Sequence, residues 1–315
     1  MKNTVAPVIT VTLNPALDKT VTIEQFEYGG LNRIKEMRTD AGGKGINVAK
    51  VLRNFGSEVT ALGLSGGYQG QVIRDRLDKL GIRSVLTEAS GETRINLKVV
   101  DEATKQTTEL NEPGFTVDPQ LLAQFIDTFA AEASSASLIV LGGSLPPGAP
   151  RDYYRSLIVR ARELGIRTVL DADGDALALG IEAVPYAIKP NIHELESLLG
   201  DTFDSDEHIV RAARSLIRRG IEYVLVSMGG EGSMLVSERE AIRARPFPIT
   251  PVSTVGAGDS MVAAMVYSFL EGKSFEETTR WTSAAGTITA SKPGTQVCTL
   301  EEVRQSVQLV SLTHF

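Results

Sequence analysis

Short apolar runs and longer amphipathic segments alternate along most of the chain. Apolar runs of about five residues predict buried strands, and segments with apolar positions every three or four residues predict helices between them. The predicted strands are residues 8–13, 59–64, 138–141, 168–171, 187–189 and 223–227. Strands that alternate with helices in this way indicate an α/β fold with a parallel sheet covered by helices.

Glycines mark the ends of the predicted helices. Helices are predicted at residues 45–55, 69–80 and 151–164, and each is followed directly by glycine. A left-handed residue after the last turn closes a helix, and glycine adopts that conformation without strain. The glycines with this predicted role are Gly56, Gly81, Gly165 and Gly220.

Two stretches depart from this alternation, residues 20–40 and 93–111. They have short alternating segments with polar faces and little helical pattern, which predicts a small separate sheet. The chain has no fixed-period repeat and no low-complexity linker, so we expect one continuous domain over residues 1–315.

Composition narrows the class of protein. The 315 residues are 42% hydrophobic and 23% charged, which is typical of a globular protein with a sizeable core. A net charge of −7, without a run of lysine or arginine, argues against nucleic acid as a partner. No apolar run approaches the roughly 18 residues of a membrane helix. The single cysteine, Cys298, forms no internal disulfide, and no signal peptide is recognised, so we expect a cytoplasmic protein.

The strongest chemical pattern is the glycine-rich turn at residues 253–260, which runs into an apolar helical segment at 261–270. A glycine turn followed by a helix start is an anion-binding arrangement. Asp259 would repel a bound phosphate unless its charge were used to accept a proton from a hydroxyl attacking that phosphate. By position alone, Asp259 is equally well explained as a first-turn acid that stabilises the helix.

A second glycine cluster, residues 40–47, also precedes a predicted helix. It has a Gly-Lys pair but lacks the spacing of a phosphate-binding P-loop. Its backbone, Lys44 and Asn47 could surround a polyol or a phosphate, or the cluster could be only a tight turn. Asp18 follows the first strand, where a carboxylate could accept hydrogen bonds from two sugar hydroxyls or be an ordinary loop acid.

Three further segments are candidates for ligand contact. Arg94 and Asn96 point to one face of a strand because side chains alternate with a period of two. Asn191 and Glu194 have the spacing of a helix capping box, and their oxygens also suit hydrated magnesium. Residues 227–232 form a turn between two strands that could clamp a nucleotide or only reverse the chain.

Other patterns are discounted. Asp171 begins an acidic series with calcium-loop spacing, but Ala176 occupies the position that requires glycine. His208 lies on a charged helix and is predicted to be solvated. Met261 and Trp281 lie on apolar helix faces and are predicted to be core residues.

Five motifs resemble, in order and spacing, those of the ribokinase-like sugar kinases, the phosphofructokinase B family. The motifs lie at residues 13–18, 42–47, 142–148, 189–191 and 255–260, so the resemblance covers nearly the whole chain. It implies a three-layer sandwich with a mostly parallel central sheet flanked by helices, plus a small β-sheet lid. The lid strands would come from about residues 15–41 and 92–113, and the lid would form a homodimer contact.

The resemblance also implies roles for individual positions. Asp259 matches the catalytic base, and Gly256, Ala257 and Gly258 match the anion hole. The sugar side comprises Asp18, Gly42, Gly43, Lys44, Asn47, Arg94 and Asn96, with Arg94 as a clamp on the substrate's phosphate. The nucleotide side comprises Lys189, Ser227, Met228, Gly229, Gly230, Glu231, Gly232, Gly258 and Asp259. Asn191 and Glu194 match a pair that organises Mg²⁺ through water, and K⁺ activation is left open.

The implied activity is ATP-dependent phosphorylation of a ketohexose phosphate, with fructose 1-phosphate preferred. Tagatose 6-phosphate is the alternative substrate for the same chemistry. A catalytically silent phosphosugar sensor is a further alternative, although Asp259 is present. A dinucleotide oxidoreductase ranks last because no GxGxxG follows the first strand.

Overall fold

A computed structural model describes residues 6–315, and within that range the strands form a ten-stranded central sheet and a four-stranded small sheet. The strands in chain order are β1 Val8–Thr12, β2 Ala16–Ile23, β3 Ile34–Gly42, β4 Val59–Ser65, β5 Arg83–Glu88, β6 Arg94–Asp101, β7 Thr107–Asn111, β8 Leu138–Gly142, β9 Thr168–Asp171, β10 Ala187–Ile188, β11 Tyr223–Ser227, β12 Ser233–Val236, β13 Ala241–Arg245 and β14 Ser311–His314.

The central sheet has the order β14-β13-β12-β11-β10-β9-β8-β1-β4-β5. The strands from β5 to β11 in this order pair in parallel, whereas β12, β13 and β14 continue the sheet antiparallel. The mostly parallel sheet is therefore confirmed. The turn from β11 into β12 was predicted, whereas β13 and β14 were not. Strand β14 pairs with β13 although residues 246–310 lie between them in the chain.

Helices cover both faces of the central sheet. They are α1 Lys44–Asn54, α2 Gly67–Lys79, α3 Pro119–Ala133, α4 Tyr153–Glu163, α5 Gly174–Gly180, α6 Ile192–Leu199, α7 Asp206–Ile217, α8 Ala257–Leu270, α9 Phe275–Ala290 and α10 Leu300–Ser306. Side chains of α3 to α7 share one buried cluster, and those of α1, α2, α8, α9 and α10 share another. The three-layer sandwich is confirmed.

Alternation along the strands explains why there are two cores. In β8, Ile139 and Leu141 belong to one buried cluster, while Leu138 and Val140 belong to the other. A strand buried on both faces has no polar side, so it reads in the sequence as a continuous apolar run. This is the pattern from which the parallel strands were predicted.

The small sheet has the order β3-β2-β6-β7, with β2 and β6 parallel and the outer pairs antiparallel. Its own buried cluster is small and contains Val21, Ile23 and Val99. Large apolar side chains are exposed on β3, on β7 and in the loop between β2 and β3. They are Phe26, Tyr28, Leu31, Ile34, Met37 and Leu110.

The predicted helix-ending glycines all have positive φ angles, with values of 83° at Gly56, 65° at Gly81, 75° at Gly165 and 107° at Gly220. Met261 and Trp281 are buried, as predicted. His208 lies on α7, as predicted, and is partly exposed, with its ring between Asp201 and Asp204 of the preceding loop. In the part of the chain described, no helix has both the length and the apolar character needed to cross a membrane.

Candidate active site

The candidate residues converge at the carboxyl ends of the parallel strands. Strand β1 lies between β8 and β4. The chain adds β4 and β5 on one side of β1 and later adds β8 and the following strands on the other side. Such a reversal opens a crevice beyond the strand ends, where α/β proteins bind ligands. Asp171 at the end of β9 and Lys189 just after β10 border this crevice.

The glycine turn before α8 aims that helix at the crevice. Gly256 is the N-cap residue, with φ 78°, a left-handed conformation that suits glycine. The helix itself provides no acceptor for the N–H groups of its first turn, which include those of Gly258 and Asp259. The Lys189 ammonium lies beside the turn, since a Cβ added at Gly258 would be 3.4 Å from Lys189 Nζ. The turn therefore combines peptide dipoles and a cation, as an anion site requires.

Asp259 lies in the first turn of α8 and is only 7% exposed. Its Oδ2 accepts a hydrogen bond of 2.8 Å from Asn47 Nδ2 on α1. Burial, followed by the negative charge of Asp171, raises the pKa of Asp259 to about 6, although Lys44, Lys189 and the Asn47 hydrogen bond oppose this rise. A carboxylate with that pKa is ionised at neutral pH and is a better proton acceptor than an exposed aspartate.

Asp171 forms ion pairs with two lysines at the crevice. Its Oδ1 lies 2.7 Å from Lys44 Nζ and 3.4 Å from Lys189 Nζ, and its side chain is 1% exposed. Burial opposes ionisation, but the two ammonium groups outweigh it and lower the pKa of Asp171. The pairing places two cations beside the glycine turn. Lys44 and Lys189 thus come together through a residue that the sequence analysis had discounted.

The sugar-side candidates meet at Asp18, which is buried on β2. Asn96 Nδ2 on the neighbouring strand β6 donates to Asp18 Oδ1 at 3.0 Å, and Lys98 Nζ lies 3.5 Å from Asp18 Oδ2. A Cβ added at Gly42 would come within 2.4 Å of Asp18 Oδ2. Glycine at that position therefore leaves the space that the carboxylate occupies.

Arg94 lies at the start of β6 and reaches the loops around the crevice. Its guanidinium donates to the backbone oxygens of Asn14 and Glu112 and to Ser144 Oγ, at distances of 3.1 to 3.4 Å. All these acceptors are neutral, so the guanidinium charge has no anionic partner among these contacts. An arginine held in this way is well suited to a phosphate group.

Asn191 and Glu194 form the predicted capping box at the start of α6. Asn191 Oδ1 accepts from the Glu194 N–H at 2.9 Å, and Glu194 Oε2 accepts from the Asn191 N–H at 2.8 Å. Glu194 Oε1 lies outside the box. Asn191 also forms a parallel bridge with Ser227 at the end of β11.

The turn at residues 227–232 reverses the chain between β11 and β12 and contains a 3₁₀ turn, Gly229–Glu231. Arg243 on β13 stabilises the turn: its Nη2 donates to the Glu231 carbonyl and its Nη1 to Asp206, each at 2.8 Å. Strand β11 is adjacent to β10, which leads into Lys189, and β10 separates it from β9, which ends at Asp171.

Sequence reasoning missed several residues of the site. Asp171 was considered only as part of a calcium loop, although its position at the end of a buried strand was a usable signal. Lys98 shares a strand face with Asn96 and could have been found by the period of two. Arg243 lies 12 residues after Glu231, on β13, and no sequence pattern marked it.

Known proteins are similar to this chain over most of its length. Residues 11–302 match the family described as "pfkB family carbohydrate kinase". The chain is 40% identical to the 1-phosphofructokinase of Xanthomonas campestris pv. campestris over 267 residues, which cover 84% of each protein. It is 33% identical to the 1-phosphofructokinase of Haemophilus influenzae over 309 residues, which cover 98% of each.

A solved structure shares the architecture. Phosphofructokinase-2 from Escherichia coli in complex with potassium superposes with a TM-score of 0.92 at 31% sequence identity. The match covers 97% of this chain and 99% of that one. The arrangement of the whole chain is therefore that of a known fold.

Proposed function

The chain belongs to the pfkB family of carbohydrate kinases, and from that premise we propose that it transfers the terminal phosphoryl group of ATP to fructose 1-phosphate. The acceptor is the free primary hydroxyl, and the products are fructose 1,6-bisphosphate and ADP. The observation that carries the proposal is the placement of a buried carboxylate, Asp259, within the first turn of α8 and close to the charges of Lys44 and the buried Lys189. The curated relatives named 1-phosphofructokinase support the choice of sugar.

Asp259 is the base in this proposal. As the sugar oxygen bonds to phosphorus and the bond from phosphorus to the ADP oxygen breaks, the hydroxyl proton passes to the carboxylate. A weak base suffices, because the transition state is loose and depends more on positioning than on nucleophilicity. Asn47 holds the carboxylate through its 2.8 Å hydrogen bond.

Charge compensation requires the surrounding cations. The substrate phosphate, the ATP phosphates and Asp259 are all negative, so they repel one another in a site with little water. Lys44, Lys189 and the N–H groups of Gly256, Ala257 and Gly258 offset that charge at the transferring group. We assign the nucleotide to the side formed by Lys189 and the turn at residues 227–232.

Magnesium fits the nucleotide side. Oxygen ligands suit Mg²⁺, and Glu194 keeps one carboxylate oxygen, Oε1, outside its capping box. We propose that Glu194 and Asn191 hold the ion through water, and that it supplies positive charge to the ATP phosphates. We also propose that K⁺ activates the kinase. Replacing K⁺ with tetramethylammonium in the assay of ADP release tests this.

The small sheet covers the sugar side and supplies a contact between copies. Asp18, Gly42, Gly43, Arg94 and Asn96 come from this sheet or its edges, with Arg94 binding the phosphate that the sugar already carries. Exposed apolar side chains on an outer strand are a liability unless another surface covers them. We therefore propose that the protein forms a homodimer through the small sheet. We place it in the cytoplasm, where ATP is available.

Initial rates of ADP release with fructose 1-phosphate, tagatose 6-phosphate and fructose 6-phosphate test the substrate assignment through kcat/KM. We expect the largest value for fructose 1-phosphate. A larger value for tagatose 6-phosphate would overturn the choice of sugar and keep the chemistry. Tight sugar-phosphate binding without ADP release would identify a sensor and overturn the kinase proposal.

Arg94→Gln tests the phosphate clamp. We expect KM for fructose 1-phosphate to rise by roughly 10- to 100-fold, because a charge-assisted contact contributes about 1.5–3 kcal/mol. The matched control is Arg74→Gln on α2, whose guanidinium pairs with Glu88 outside the crevice. An equal effect of the two substitutions would remove Arg94 from the substrate site.

A further inference from the structure

Lys50 is a partly buried basic residue that the proposed chemistry does not use. It lies on α1, three residues after Asn47 and therefore on the same helix face. Its ammonium donates to the backbone carbonyl of Ala41 on β3 and, at 3.3 Å, to Asn47 Oδ1. Both acceptors are neutral oxygens, so these contacts hold groups in place without pairing opposite charges.

The contact with Asn47 fixes which end of the amide faces the base. A carboxamide has an oxygen that only accepts and a nitrogen that only donates. With Oδ1 bound to Lys50, Nδ2 points to Asp259 Oδ2 at 2.8 Å. A rotated amide would place its oxygen against the carboxylate, which would lose the hydrogen bond and add repulsion.

We propose that Lys50 is a positioning residue for phosphoryl transfer: it holds the Asn47 amide in the orientation that donates to Asp259 and ties the end of β3 to α1. The proposal rests on the assignment of Asp259 as the base. Lys50 acts through Asn47 and through the backbone of Ala41, next to Gly42 on the sugar side.

Charges from several elements surround these groups. Burial lowers the pKa of Lys50, and Arg38 on β3 adds to this effect, whereas Asp40 on β3, Asp18 on β2 and Asp259 on α8 oppose it. Asp259 is faced by Asp171 on β9, Lys44 and Asn47 on α1, and Lys189 after β10. The positive charge of Lys50 and the Asn47 hydrogen bond both favour ionised Asp259, so loss of Lys50 raises the pKa of the base.

The side chain of Lys50 also borders a cavity of about 250 Å³ between β3, α1 and residues 295–297. Arg53, Asn54 and Thr295 line the same cavity. Shortening Lys50 to alanine extends this space by the volume of propylammonium, which is the part of the side chain removed. A small amine added to the solution can therefore reach the position of the missing ammonium.

The pH profile of kcat/KM separates positioning from a general structural role. For Lys50→Met we expect the acid limb to move up by about one pH unit from its position near pH 6. The rate at pH 6, relative to the variant's own plateau at pH 8.5, would then be about fivefold lower than for the unaltered protein. Lys50→Arg keeps a charged donor, so the acid limb of its pH profile should stay where it is in the unaltered protein.

Lys79→Met on α2 is the matched control, because Lys79 is exposed on a neighbouring helix. In Lys50→Ala, propylammonium should return the limb towards pH 6, whereas tetramethylammonium at equal ionic strength should not, because it has no N–H donor. Equal loss of rate at every pH in Lys50→Met, or no difference between Lys50→Arg and Lys50→Met, would overturn the proposal.

The same assays keep this inference apart from the proposed function. An inactive unaltered protein, or full turnover in Asp259→Asn, would reject Asp259 as the base and the Lys50 proposal with it. An active protein in which Asp259→Asn is inactive and Lys50→Met keeps its acid limb would reject the role of Lys50 alone.

Discussion

Asp259→Asn should remove most of the turnover and at the same time stabilise the folded protein at neutral pH. The carboxylate is ionised there although it is buried, and its pKa of about 6 lies above the usual value of 3.8. A group whose pKa is higher in the folded state binds protons more tightly there, so its ionisation destabilises the fold. Asparagine keeps the shape, removes the charge and still offers an oxygen to Asn47 Nδ2.

The magnitude follows from the pKa difference. A rise of about two units corresponds to roughly 3 kcal/mol at 1.36 kcal/mol per unit. Stability is lost as the pH rises from about 4 to about 6, and the full destabilisation is present at pH 7 and above. Asp259→Asn should therefore gain about 3 kcal/mol at pH 8 and almost nothing near pH 4, with a rise in Tm of about 5 °C at pH 8.

Urea denaturation of both proteins between pH 4 and pH 8 measures this difference. ADP release in the same preparations should fall by roughly 10²- to 10⁴-fold, the usual contribution of a general base. Asp127→Asn on the exposed face of α3 is the control and should change neither quantity. A pH-independent difference in stability, or a destabilised Asp259→Asn at pH 8, would show that burial does not raise the energy of this carboxylate.

Three further substitutions test other parts of the site. Gly42→Ala places a Cβ 2.4 Å from Asp18 Oδ2, so KM for the sugar phosphate should rise at least tenfold while KM for ATP stays constant; steady-state kinetics measures both. Asp171→Asn removes the buried carboxylate that pairs with Lys44 and the buried Lys189, and it should lower the free energy of unfolding in urea by about 3–5 kcal/mol; an unchanged midpoint would contradict the pairing. Met37→Lys puts a charge on the exposed face of β3 and should weaken self-association, seen as a lower sedimentation coefficient; no change in sedimentation would argue against that dimer surface.

The alternation of apolar and amphipathic segments predicted the parallel strands because those strands are buried on both faces. At the antiparallel edge, the turn into β12 was recognisable, but β13 and β14 were not, because β14 joins β13 only after three intervening helices have packed. The glycine turn at Gly256 was identifiable because its function depends on adjacent residues. Local chemistry of this kind can be read directly from the order of residues.

Contacts between residues far apart in the chain could not be predicted from the order of residues. Asp171 lies 127 residues from Lys44, and Asn47 lies 212 residues from Asp259, yet each pair is within hydrogen-bond distance. Lys50 had no recognisable pattern, because its role depends on which end of an amide a folded neighbour presents.

The sequence by itself determined the elements, their layering and the residue types of an anion-binding turn, because these follow from local periodicity, backbone freedom and chain order. Only the tertiary structure decided that Asp259 is buried with a raised pKa, that two lysines share one carboxylate, and that Asn47 donates rather than accepts. Those properties depend on desolvation and on charges that lie close together only after the sheet has assembled, and no arrangement of neighbours along the chain encodes them.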